Sequence, residues 1–189
     1  MNSIVNNFLN SFIVLSAVLS LAFIPRSANA AELVSLKDYL KKELAGAAKM
    51  SKENFSVSAD KKKELSKIAP DAQDEQFTFY YAKKADGALD KACTVVAQQG
   101  KEGPMSIGVC FDNVGLVQSV TILSSEEEHG KKVAEESWLK QFKGKKVSDA
   151  FQVGRDVDGV SGATMSSKAV AETLRKSSFA FSNFVGNKK

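Results

Sequence analysis

The stretch DVDGVSGATMSSKAV, Asp156 to Val170, gathers small and hydroxyl-bearing residues just ahead of a helix-like run. A helix start offers unpaired N–H groups and the positive end of a dipole, which together suit a phosphate. Gly162 and Ala163 carry almost no side chain, so a bulky group can approach the backbone there. Lys168, expected in the first helical turn, adds a positive charge. Thr164 places a hydroxyl at the same spot, and a hydroxyl beside a phosphate seat is a point where a phosphoester can form. A plainer account uses the same residues. A strand-to-helix corner favours Ser, Thr, Gly and Asp: Ser166 or Ser167 caps a helix beginning near Ser167, and Gly162 takes a turn conformation. The residues alone leave both accounts open.

Other chemistry-bearing residues are few. The chain has two cysteines and one histidine, too few for a zinc site of the usual kind. No P-loop is present, and His129 in a polar loop is the only histidine for a Ser-His-Asp arrangement. Cys93 and Cys110 flank the segment CTVVAQQGKEGPMSIGVC. If Gly100 to Gly103 form the loop of a hairpin, Gln99 faces Pro104 and the two cysteines fall directly opposite each other. Opposed residues have Cβ atoms roughly 4.5–5.5 Å apart, and a disulfide needs about 3.8 Å. A bridge therefore requires only modest adjustment; two small buried thiols are the alternative.

These groups must be held by a scaffold, and the hydrophobic pattern supplies one. SLKDYLKKELAG reads as an amphipathic helix, capped by Ser35 with Asp38 three residues on, and with Leu36, Tyr39, Leu40 and Leu44 on one face. SADKKKELSKIAP reads as a second helix, with Ser58 as cap, Leu65 and Ile68 inward and Pro70 beyond its end. Four β-rich segments follow: QFTFYYAKK, ACTVVAQ, MSIGVCFD and LVQSVTIL. The connections between them are too short for crossover helices, so they predict an antiparallel meander. After the polar loop SSEEEHGKK, the run VAEESWLKQF predicts a helix with Ala134, Trp138, Leu139 and Phe142 at helical spacing. A closing helix is expected from about Ser167 towards Phe184, with Val170, Leu174, Phe181 and Phe184 as its apolar stripe. The fold class is α+β: an antiparallel β-sheet meander with flanking helices.

Residues 1–30 differ from the remainder. Phe8 to Ile24 is mostly apolar, Pro25 ends it, and Ala28 and Ala30 occupy the small-residue positions of a cleavage site. This predicts a signal peptide over 1–30, a domain over 31–189, and export to the periplasm or another extracytoplasmic space. The alternative is an uncleaved N-terminal anchor in the cytoplasmic membrane. Loss of Arg26 lowers the formal charge of +4 by one. So small an excess, with both signs interspersed, does not suggest nucleic-acid binding.

The heptapeptide DGVSGAT, Asp158 to Thr164, resembles the flavinylation motif Asp-x-x-Ser/Thr-Gly-Ala-Thr of FMN-binding domains. Such domains occur in subunits of sodium-translocating and Rnf-type electron-transport complexes and in small exported flavoproteins. GKEGPMSIGVCFDNVG and WLKQFKGKKVSD look like further blocks of the exported, single-domain branch, and SLKDYLKKELAGAAKMSKENFSVS is similar to it more weakly. The resemblance implies an FMN-binding-domain-like fold. It implies FMN joined covalently through its phosphate to Thr164 by a flavin transferase. The site would comprise Asp158, Ser161, Gly162, Ala163, Thr164, Ser166, Ser167 and Lys168. The loop EEEHG keeps Glu127 and Gly130 of a Glu-x-x-Gly frame, which implies that Glu127 lies near the flavin; composition alone makes Glu126 to Glu128 a solvated acidic loop. The implied function is an electron carrier rather than an enzyme with its own substrate, serving membrane or periplasmic redox partners. A reversible flavin sensor and a structural adaptor without covalent FMN are the alternatives.

Overall fold

The computed structural model describes residues 31–72, 74–127 and 131–186. The expected signal peptide, Glu128, His129 and Gly130 lie outside the described residues.

Six strands form one antiparallel sheet in the order β1-β6-β5-β4-β3-β2. They are β1 (Ala31–Glu32), β2 (Lys49–Ser56), β3 (Gln76–Lys83), β4 (Leu89–Gln99), β5 (Pro104–Asp112) and β6 (Val117–Ser125). β3 to β6 are the four predicted segments, paired as a meander, so the expected α+β architecture is found. β2 is an addition to that expectation. Its sequence KMSKENFS has no apolar alternation, because it is an edge strand that is mostly exposed. Its lysines also suit an edge, where charge discourages pairing with another chain. Phe55 is its main contribution to the core, stacked on Phe184 at 5.1 Å between ring centroids.

One face of the sheet carries the main core, closed by helices α2 (Ala59–Ile68) and α4 (Thr164–Ala180). Phe79, Ile107, Val109, Phe111, Val170 and Leu174 are all completely buried there. α2 has its predicted cap, with Ser58 Oγ accepting from the Lys61 N–H. Leu65 points inward as expected, but Ile68 is 42 % exposed: it lies in the last turn, beyond the edge of the sheet's apolar cover. Lys176 of α4 is buried and pairs with Asp74 at 2.9 Å, tying the helix to the segment before β3.

Helix α1 (Leu36–Glu43), capped by Ser35 as expected, closes a smaller cluster with Leu44, Ala82, Cys93, Cys110 and Leu123. Tyr39 is its centre. Leu36, expected on the same face, is 42 % exposed because the first turn overhangs this cluster. Tyr39 fits against the sheet because residue 108 is glycine: a Cβ there would come within 2.5 Å of the Tyr39 ring. Burial, and then the Glu43 carboxylate, hold the Tyr39 hydroxyl well above the usual tyrosine value. That hydroxyl lies 3.2 Å from Cys110 Sγ. Cys93 and Cys110 face each other in the β4–β5 register and are joined as a disulfide, and Gln99 faces Pro104 across the turn.

The stretch after β6 departs from its expected single helix. It is a 3-10 turn over Lys131–Ala134, one α turn, α3 (Glu136–Leu139), and another 3-10 turn over Lys140–Phe142. Val133, Leu139 and Phe142 are buried, but so short a run turns tightly to follow the sheet edge rather than continuing as one rod. α4 also differs. It begins at Thr164, three residues earlier than expected, and passes at Phe181–Val185 into a π-helical turn that holds Phe181 and Phe184 against the core.

Candidate functional site

The corner ahead of α4 is built by polar contacts from three elements. Asp156 starts it. Its carboxylate accepts the backbone N–H groups of Phe151 (3.0 Å) and Gln152 (2.7 Å) and lies 3.7 Å from Lys145 Nζ. Partial burial alone would raise its pKa, but those N–H groups and Lys145 outweigh it and hold the carboxyl below the ordinary aspartate value. Phe151 needs that support. It is a fully buried non-glycine residue at φ 45°, a costly conformation. Its carbonyl is held from the other side by Arg175 Nη1 of α4 at 2.6 Å.

Asp158 is exposed, and its backbone is captured from the α3 region. The Trp138 indole Nε1 donates to the Asp158 carbonyl at 2.9 Å, and the Asp158 N–H donates to Gln141 Oε1 at 2.7 Å. Helical spacing places Trp138 with the core residues. It does pack edge-on against Phe142, but its N–H serves this loop.

Further along, Gly162 has φ 79°, the left-handed turn conformation expected of it, and open space where a Cβ would stand. Ala163 is buried and occupies the N-cap position of α4, with no side chain capping the helix. Ser166 and Ser167 are therefore not caps. Both lie inside the first turn and are buried, because their hydroxyls serve the fold. Ser167 Oγ accepts from the Val160 N–H at 3.0 Å and donates to the Ala163 carbonyl at 2.9 Å. Ser166 Oγ donates to Glu127 Oε2. Lys168 is exposed and sits past the first turn, since α4 starts earlier than expected. Ser161 and Thr164 are exposed. Thr164 is the first residue of the helix, so its hydroxyl stands where the unpaired N–H groups of the first turn begin.

Glu127 is not part of a solvated loop. It is only 4 % exposed, because Oε1 accepts the Glu102 N–H at 2.8 Å while Oε2 takes the Ser166 hydroxyl. Gly100 is glycine for the same reason: a Cβ there would overlap the Glu127 carboxylate. Beside it opens a cleft of about 890 Å³, lined among others by Met105, Ile122, Glu126, Glu127 and Val133. Among the described residues, Glu126 Oε1 is buried there without a hydrogen-bond partner. The fold thus brings Asp158, Ser161, Gly162, Ala163, Thr164, Ser166, Ser167 and Glu127 to one corner, with Lys168 at its margin. Sequence reading misses Trp138 and Gln141 as parts of it; the one available signal is an indole N–H in need of a partner.

An antiparallel sheet backed by a helix that opens on the Asp158–Thr164 corner is the arrangement that the motif's resemblance implies. Residues 100–177, from the β4–β5 turn through most of α4, match the family model described as FMN-binding domain. The resemblance carried by the motif is thereby borne out. No curated protein sequence matches significantly. Among solved structures, the chain is similar to a subunit of the Na(+)-translocating NADH-quinone reductase from Parabacteroides distasonis, with a TM-score of 0.53 at 19 % identity over 74 % of this chain and 79 % of that one. It is likewise similar to NqrC of Shewanella oneidensis, with a TM-score of 0.52 at 17 % identity over 72 % of this chain and 81 % of that one. At such identities the likeness is one of fold.

Proposed function

We propose that the protein is an exported electron carrier with FMN esterified through its phosphate to Thr164. The observation that carries this reading is the exposed Thr164 at the uncapped start of α4, within a segment that matches the FMN-binding domain family. The residues fit such a group. The first-turn N–H groups of α4 suit a phosphate, Gly162 leaves room for it, and the cleft beside Glu127, which Ser166 ties to the same helix, offers space.

An ester cannot form favourably from FMN phosphate by expelling water, so a phosphoanhydride of FMN, a flavin dinucleotide, is the suitable donor. The Thr164 oxygen bonds to the flavin-side phosphorus, the anhydride P–O bond breaks, and the nucleotide leaves with the electron pair. The hydroxyl proton passes to a base of the flavin transferase. Once bound, the flavin supplies the redox chemistry, and the chain supplies attachment, orientation and electrostatics. Attachment suits an exported carrier, which would lose a dissociable cofactor by dilution. Electrons would pass between a membrane donor and a periplasmic or membrane acceptor. The leader over 1–30 gives the route out, as a cleaved signal or as an anchor.

Coexpression with a flavin transferase tests the reading. The intact mass should rise by one FMN phosphoester, and Thr164→Ala should abolish that rise while keeping the wild-type melting temperature. A covalent flavin persisting in Thr164→Ala would overturn the assignment.

A further inference from the structure

The hydrogen bonds that Trp138 and Gln141 make to the Asp158 backbone have no evident role in the core. Asp158 is exposed, so water could satisfy its N–H and carbonyl. Two side chains from the α3 region take them instead: Trp138 Nε1 holds the carbonyl at 2.9 Å and Gln141 Oε1 the N–H at 2.7 Å, with Gln141 Nε2 also 3.5 Å from the carbonyl. Gln141 is itself oriented, its Nε2 donating to the Trp138 carbonyl at 3.1 Å, and the Trp138 ring is fixed edge-on against Phe142. Further along the loop, Ser167 Oγ accepts the Val160 N–H and, nearer its far end, donates to the Ala163 carbonyl. Along the loop, Gly159, Ser161, Gly162 and Thr164 are exposed.

We propose that Trp138 and Gln141 are positioning residues for modification: they hold the Asp158–Thr164 loop in one conformation before a transferase arrives, with the Asp158 carboxylate and the Thr164 hydroxyl turned to a partner. This rests on the reading of Thr164 as the acceptor. The physical gain is in population. A loop that visits its acceptor conformation only part of the time binds its partner more weakly by that fraction. Loosening the clamp therefore acts on binding of the chain by the transferase, not on the transfer step.

The test uses the exported chain as substrate for a purified flavin transferase with a flavin dinucleotide, following FMN addition by intact mass. Trp138→Phe keeps the ring packing and removes the N–H donor; Gln141→Ala removes both of its bonds to Asp158. Each should raise KM for the chain by about fivefold, the usual weight of one hydrogen bond, with kcat unchanged. Gln141→Glu, which keeps the acceptor for the Asp158 N–H, should restore most of the loss. Wild-type KM in both variants, or a fall confined to kcat, would overturn the proposal. Amide exchange gives a reading independent of the flavin: the Asp158 N–H should be protected in wild type and exchange about fivefold faster in Gln141→Ala. If wild type takes no FMN, the Thr164 assignment fails and the exchange result still decides the clamp; an unprotected Asp158 amide in wild type overturns it.

Discussion

Ser166 Oγ donates to Glu127 Oε2, joining the first turn of α4 to the end of β6 across 39 residues of sequence. The other oxygen of the same carboxylate holds the Glu102 N–H of the β4–β5 turn. One buried side chain thus fixes the helix start against two sheet connections.

Removing that side chain should be costly. Glu127→Ala leaves a backbone N–H and a buried hydroxyl without their acceptor, and each orphaned group costs about 1–3 kcal/mol. The urea midpoint should fall markedly, whereas Glu126→Ala, one residue earlier, should change it much less. Equal midpoints for Glu127→Ala and wild type would show that the carboxylate is not needed to seat α4.

Asp158 should behave in the opposite way. Its peptide is clamped while its side chain is exposed. A carboxylate repels a phosphate, so its place in the motif is better explained by recognition than by cofactor affinity. Asp158→Ala should keep wild-type stability to within about 0.5 kcal/mol, as exposed substitutions usually do, and should be poorly flavinylated. Normal FMN addition to this variant would refute the recognition role.

The Asp156 carboxyl makes part of the stability acid-sensitive. Its folded pKa is depressed, so its contribution is present above the unfolded aspartate value near 3.9 and is lost as pH falls through the lower folded value. Wild type should lose stability below about pH 4. Asp156→Asn should be less stable at neutral pH and show a flatter loss in acid. Urea midpoints measured from pH 7 to pH 2 give both slopes, and parallel curves would remove Asp156 from the explanation.

Cys93 and Cys110 should give no alkylatable thiol in protein denatured without reductant, with a mass two hydrogens below the dithiol form. The closed loop is short, with a sequence separation of 17. The chain-entropy model then gives a loss of about 3 kcal/mol at most on reduction or in Cys93→Ala/Cys110→Ala. Two free thiols in protein taken directly from an oxidising compartment would exclude the bridge.

What the sequence determined by itself was local. The Ser35 and Ser58 caps, the four meander strands and the Gly162 turn each follow from residues close together in the chain. The register that opposes Cys93 to Cys110 followed only on the condition that Gly100 to Gly103 form the loop, and the folded hairpin meets that condition. The heptapeptide that resembles the flavinylation motif is likewise contiguous in the chain. Tertiary structure decided everything that depends on a distant partner. β2 carries no readable periodicity and forms because β3 offers it an edge. The start of α4 moves from Ser167 to Thr164 because Val160, Ala163 and Glu127 occupy the two serine hydroxyls that would otherwise serve as caps. Glu127 lies in an acidic run that looks solvated, yet it is buried because Glu102 and Ser166 both reach it. Trp138 has the spacing of a core residue, and only the approach of Asp158 gives its N–H a partner. Each of these outcomes turns on satisfying a buried or captured polar group, and the groups that satisfy it are set by the folded chain rather than by neighbours in sequence.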